Sequence, residues 1–252
     1  MSFNNLVSTT TKDAGPGSSR QTVILVTGLL GILAAILIGI SDALLIGQPI
    51  SGADLYFGGK QEYELMVGKS PATLMWGSLG GIVIPMLIIG YWHWYIGMVN
   101  VGRRWARLTM ITMILGLLGG MVFHFTLGMI GITYQALLTM PDETSKGLID
   151  SLILNLYRFF VSPAALVAIV GFLPASILFF IPTIRGKTVF PRWYAFSVPI
   201  IAWPLCLLLA TLIPAPWGGY IGTTFHWSTI LFFAISTFIL IRNQRILSVA
   251  SG

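Results

Sequence analysis

Positions 22–46 read TVILVTGLLGILAAILIGISDALLI, a run in which Asp42 is the only charged side chain. A helix rises about 1.5 Å per residue, so a hydrocarbon core about 30 Å thick takes roughly 20 residues to cross. A run of this length and polarity has few alternatives to a membrane span. Windows of about 19 residues pick out five more, near 73–100, 106–137, 157–183, 193–213 and 219–241.

All six runs are continuous rather than alternating with period two, which argues against a transmembrane barrel. Helices then follow, because lipid offers the backbone no hydrogen-bond partner. The predicted fold is all-α: a polytopic bundle of six transmembrane helices over 22–243, with a flexible polar tail at 1–21 and a short tail at 244–252. Composition agrees. The chain is 56% hydrophobic and 9% charged, where a soluble domain carries about a quarter charged residues. The first run is too long for a signal-peptide core and lacks a small-residue cleavage site, so it reads as an uncleaved span. Pro85, Pro163, Pro174, Pro199 and Pro204 fall inside spans, where neighbouring helices can satisfy the freed carbonyls.

Basic residues give the direction. With the N-terminus inside, Lys12, Arg20, Arg103, Arg104, Arg107, Arg185, Lys187, Arg192, Arg242 and Arg245 share the cytoplasmic side. Lys60, Lys69, Lys146 and Arg158 lie on the other. Ten against four is a positive-inside bias that puts both termini in the cytoplasm, and the multi-pass location expected is a bacterial inner membrane. The net charge of +6 is thereby accounted for without nucleic acid. Two outer loops follow, near 47–72 and 138–156. The first mixes aromatic, acidic and glycine residues; a lid over the outer face and an ordinary solvated connection both fit it. In the second, Pro141, Asp142, Glu143 and Thr144 suit a turn feeding a short helix. The lone Cys206 sits in an apolar run, which leaves neither a disulfide framework nor a cysteine zinc site.

Four ionisable residues fall within or near spans: Asp42, His93, His124 and His226. Counting from the outer ends puts Asp42 roughly 6 Å, His226 roughly 10 Å and His124 roughly 15 Å deep. Three helices thus bring polar groups to one outer layer. Each continues a stripe of small residues: Gly28, Gly31, Ala35, Gly39 and Asp42; Gly116, Gly120, His124 and Gly128; Gly219, Gly222, His226 and Thr229. Such stripes mark close helix contacts, so the three groups are expected to point into the bundle. His93, in YWHWY, lies near the opposite boundary and reads as part of an aromatic interface belt.

An ionisable residue inside a membrane is by default a functional-site hypothesis; a structural hydrogen-bond cluster is the alternative. Asp42, His124 and His226 can form an acid–base constellation, or a tentative first shell for zinc or non-haem iron, although H-x-x-x-H and H-E-x-x-H are both missing. A haem held between His124 and His226 matches their depth but leaves Asp42 without a role. Arg158, Glu64 and Tyr134 are candidate substrate contacts. Arg158 can instead pair with Asp42 or snorkel to the interface. The leading expectation is an intramembrane enzyme acting on a lipid-like or apolar substrate. A small-solute or proton-coupled transporter and a non-catalytic subunit of a homo- or hetero-oligomeric complex remain open.

The segments SDALLIG, PMLIIGYWHWYIGM, GGMVFHFTLG and FHWSTILFF, spread over most of the chain, resemble an uncharacterised family of bacterial six-span membrane proteins. A second similarity is to the alkaline ceramidase and adiponectin-receptor superfamily of intramembrane zinc hydrolases. It implies a hydrolytic metal site, with Ser41, Asp42, His124 and His226 as the counterparts.

Overall fold

The computed structural model describes residues 16–59, 62–140 and 142–250, with side chains placed for 20–59, 62–140 and 142–243. Most of the expected polar tail, Lys60 and Pro141 lie outside the described residues. Among those described, every regular element is helical.

Helix α1 runs Pro16–Ile46. Its buried positions Ile24, Ala34, Ala35, Ile38, Ser41 and Leu45 recur at helical spacing. Its outward positions Val23, Leu25, Val26, Leu29, Leu33, Leu37 and Ile40 are equally apolar. A helix apolar all round is buried in protein or in lipid, and these outward side chains touch no protein core. Among the described residues, four helical segments are long and apolar enough to cross a membrane: Arg20–Ile46, Pro71–Met98, Arg103–Thr139 and Glu143–Ile184.

The second segment is two helices, α3 (Pro71–Ser78) and α4 (Gly80–Met98), after a short α2 (Gly52–Phe57) and a 3₁₀ turn (Glu64–Met66). Ser70 caps α3 by accepting from Thr73 N at 3.1 Å, with Pro71 at the first turn. The break at Leu79 falls among Gly77, Ser78, Gly80 and Gly81, weak helix formers. The third segment is α5 (Arg103–Thr139). The fourth joins α6 (Glu143–Leu156) to α7 (Ser162–Ile184) through a π-helical turn, Tyr157–Val161. Pro163 has no N–H to continue the ladder, and the wider turn absorbs that loss. The second outer loop is therefore mostly helix. Asp142 starts it by accepting from Ser145 N at 2.7 Å, a bond that holds the Asp142 carboxyl below its usual range.

The fifth run differs from expectation. It is a 3₁₀ turn (Arg192–Ser197) followed by α8 (Pro199–Ala210), 12 residues long. At about 1.5 Å each these cover roughly 18 Å, short of a full crossing. Pro199 begins this helix instead of kinking a longer one, because the residue before a proline avoids helical backbone; Val198 has ψ 144°. The sixth run is also divided. A single turn, α9 (Gly218–Ile221), precedes α10, which starts at His226 and continues to Ala250.

Glycines set the helix crossings. A Cβ at Gly171 would lie 2.1 Å from Gly116 N, and one at Gly119 2.5 Å from Ala168 N; this clamps α5 to α7. A Cβ at Gly90 would lie 2.8 Å from Gly31 Cα, where α1 crosses α4. Toward the Met98 end the interior is filled with aromatic rings. Trp94 stacks on Phe179 at 4.2 Å, Phe190 on Tyr194 at 4.7 Å, and the Tyr194 hydroxyl donates to Phe232 O at 2.9 Å.

Candidate functional site

Two histidine centres lie inside the bundle, and they are built differently. His93 is 0% exposed and joins three helices. Its Nε2 lies 2.9 Å from Thr27 Oγ1 and 3.1 Å from Ile24 O on α1; its Nδ1 lies 2.8 Å from Ser236 Oγ on α10. A carbonyl only accepts, so hydrogen bonding assigns the proton to Nε2 and leaves Nδ1 to accept from Ser236. The interface-belt reading of this residue is corrected. Tyr91 and Trp94 are buried beside it, and only Trp92 of YWHWY is strongly exposed.

The second centre lies at the other end of the bundle. Asp42 Oδ1 is 3.5 Å from His124 Nε2, and Ser41 Oγ is 3.1 Å from the same nitrogen. The Ser41 hydroxyl donates to Gly77 O, so its oxygen accepts from His124 Nε2–H, and Asp42 shares that proton. The α3–α4 break makes this approach possible. A Cβ at Gly80 would stand 2.0 Å from Ser41 Oγ and 2.6 Å from His124 Nε2. Next to it, a Cβ at Gly128 would stand 1.6 Å from Ser78 Oγ.

His226 approaches from α10. Its backbone N–H donates to Thr224 Oγ1 at 3.1 Å, and the Thr224 hydroxyl also hydrogen-bonds Asp42. The imidazole rests against Phe225, ring centroids 4.6 Å apart, with Trp203 beyond. Its Nδ1 is enclosed and has no hydrogen-bond partner.

Asp42, His124 and His226 all line one cavity of about 430 Å³, within the range of small-molecule sites. Its walls are mostly apolar, among them Ile38, Leu87, Leu117, Phe172, Trp203 and Leu207. The 47–70 connection folds in to complete it: Leu55, Tyr56, Glu62 and Leu65 are lining residues. Several bonds fix this connection. Tyr56 donates to Gly222 O, and Gln48 to Leu65 O. Gln135 of α5 donates to Met66 O at 2.9 Å and Lys69 O at 2.5 Å. Lys69 Nζ donates to Gly47 O at 2.7 Å at the C-terminal end of α1, a favourable place for a cation. Burial lowers the Lys69 pKa and raises that of the Tyr56 hydroxyl.

The other expected contacts lie off the lining. Arg158 is exposed, its guanidinium 5.4 Å from the Phe159 ring centroid. Tyr134 packs edge-on against Tyr63 at 4.8 Å. Glu64 opens the 3₁₀ turn, and its neighbour Glu62 takes the lining position. Tyr56, Thr224 and Trp203 carry no sequence signal of their own, whereas Ser41 is among the counterparts that the second similarity implies and Glu62 is an acidic loop residue beside the expected Glu64. Among the described residues, no three His, Cys, Asp or Glu side chains converge as a metal site requires. Asp42 and His124 pair, and His226 stands beside them without completing a triad.

The chain belongs to DUF6796, a family of unknown function, whose model matches residues 13–243. No curated protein and no solved structure matches it. The family match accords with the resemblance to an uncharacterised family and brings no activity with it.

Proposed function

We propose that this is a multi-pass membrane protein that binds an apolar small molecule in the Asp42–His124–His226 cavity and moves a proton on it. The observation that carries this reading is the cavity itself: about 430 Å³ of mostly apolar wall ending on a carboxylate paired with an imidazole. Nothing in packing alone calls for such a void, since interiors are otherwise close-packed. In the topology we propose, all six runs belong to the membrane domain, both termini are cytoplasmic and the cavity lies in the outer half. The basic-residue asymmetry supports that orientation.

The chemistry that fits is isomerisation. Asp42 takes a proton from the substrate, becoming a carboxylic acid, and returns it at a second position. Before the transfer Ser41 and Asp42 share the His124 Nε2–H; once Asp42 is protonated and no longer draws it, that N–H turns to the substrate oxygen on which negative charge develops. Atoms and electrons balance with no co-reactant. Ser41 and Thr224 hold the imidazole and the carboxylate in place.

The test is turnover. Purified protein in nanodiscs is incubated with total lipid and apolar-metabolite extracts, and products are read by mass spectrometry. Wild type is expected to alter at least one apolar species. Asp42→Asn, nearly isosteric, is expected to alter none while melting within a few degrees of wild type. If neither protein alters anything while wild-type liposomes show pH-dependent solute uptake that Asp42→Asn lacks, the enzyme reading gives way to a transporter.

A further inference from the structure

The cavity's polar groups specify what kind of head group it accepts, an inference that rests on its being a binding site. Among the described residues, Asp42 and Glu62 are its only lining residues of acidic type, and no Lys or Arg lines it. Among the described residues, Lys69 donates to the carbonyls of Gly47 and Ala43, and Arg158 is exposed. An anionic head would enter against carboxylates with no counter-charge among the described lining residues, in surroundings where Coulomb terms are only weakly screened.

His226 adds the second constraint. Neither ring nitrogen has a hydrogen-bond partner among the described residues, and Nδ1 is enclosed. That leaves Nε2 as the polar atom the ring can offer to a ligand. A buried imidazole without partners forfeits hydrogen bonds it had in water, and natural structures seldom leave such groups idle. A neutral imidazole carries one donor and one acceptor nitrogen. An aliphatic hydroxyl matches either tautomer, because it both donates and accepts. Its O–H can also donate to Asp42 when the carboxylate is bare. An ammonium could satisfy the carboxylates but cannot accept from an imidazole N–H.

We infer that the cavity selects an uncharged, hydroxyl-bearing amphiphile: an apolar body against Leu87, Leu117, Phe172 and Trp203, and an alcohol head at His226 and Asp42. Fatty acids and other anionic amphiphiles of the same body are rejected.

Decanol, decanoate and decylamine share one chain and differ in the head. Binding to protein in nanodiscs is read at pH 7.5 by competition with a brominated alcohol that quenches tryptophan emission, using Trp203→Phe to isolate the cavity signal. Decanol is expected to bind at least about tenfold more tightly than decanoate, with decylamine no tighter than decanol. His226→Phe is expected to weaken decanol about tenfold and leave decanoate unchanged. Asp42→Asn is expected to bring decanoate to within about threefold of decanol. Each variant is first checked for wild-type elution and melting. Equal affinity for all three probes would overturn head-group selection and leave the cavity as a binding site. Preference for decylamine would replace the alcohol with a cation. If the brominated alcohol does not quench the Trp203 signal of the wild type, the binding-site reading falls as well.

Discussion

His93 and His226 are both buried imidazoles, one inside α4 and the other at the first residue of α10, yet one is saturated with partners and the ring of the other has none among the described residues. His93 sits where α1, α4 and α10 meet and spends both nitrogens on Thr27, Ile24 and Ser236. Glycines close the space around it: a Cβ at Gly28 would lie 3.0 Å from His93 Cε1. The His226 ring has no hydrogen-bond partner among the described residues, its Nδ1 being enclosed, and it stands beside a cavity that is left open. Satisfied polar groups in a tight crossing fasten helices. An unsatisfied one beside a void is available to a ligand, as the proposed function requires. The first region explains stability, and the second is where function is to be sought.

The contrast breaks most easily at the glycines. Gly90→Val is expected to cost about 3 kcal/mol, since its Cβ meets Gly31 Cα and the Phe233 ring at under 3 Å and backbone cannot yield. Gly120→Leu, on the cavity, is expected to be neutral or stabilising. Its Cβ meets only Ile84 Cδ1 at 3.9 Å, and the added side chain fills the void. Thermal unfolding in detergent separates the two; comparable losses would erase the difference between the regions.

The histidines give a smaller contrast. His93→Phe should lose about 2 kcal/mol, from three hydrogen bonds at about 0.6 kcal/mol each with partners left short. His226→Phe should change stability by less than about 1 kcal/mol, because no bond is lost. Lys69→Met is expected to cost about 1 kcal/mol by uncapping α1, with faster amide exchange at residues 47–57 as the readout. Smallest of all, Arg158→Ala should stay within about 0.5 kcal/mol and leave probe binding unchanged. Lost binding in that variant would return Arg158 to the site.

Sequence periodicity carried the pairing of Asp42 with His124 because both sit on small-residue stripes, and such faces can only turn toward other helices. It misjudged His93 because the partners that bury it, Thr27 and Ser236, stand 66 and 143 positions away, while its neighbours form an aromatic run that looks interfacial. Hydropathy windows merged the Arg192–Ser197 turn with α8 because they average over Pro199, which dictates a boundary and not a kink. The covering connection was ambiguous for a related reason. What folds it inward is Gln135 gripping its backbone and the Tyr56 hydroxyl donating to Gly222 O, and neither contact leaves a local pattern.

The most direct measurement is mass spectrometry of organic extracts from wild type and Gly120→Leu, purified side by side from the same membranes. The variant keeps Asp42, His124 and His226 and changes only the room beside them. An uncharged apolar molecule enriched in the wild-type extract and lost from the variant is the predicted result. Identical extracts from the two proteins, at equal yield and melting temperature, would contradict the assignment of this cavity as the functional site.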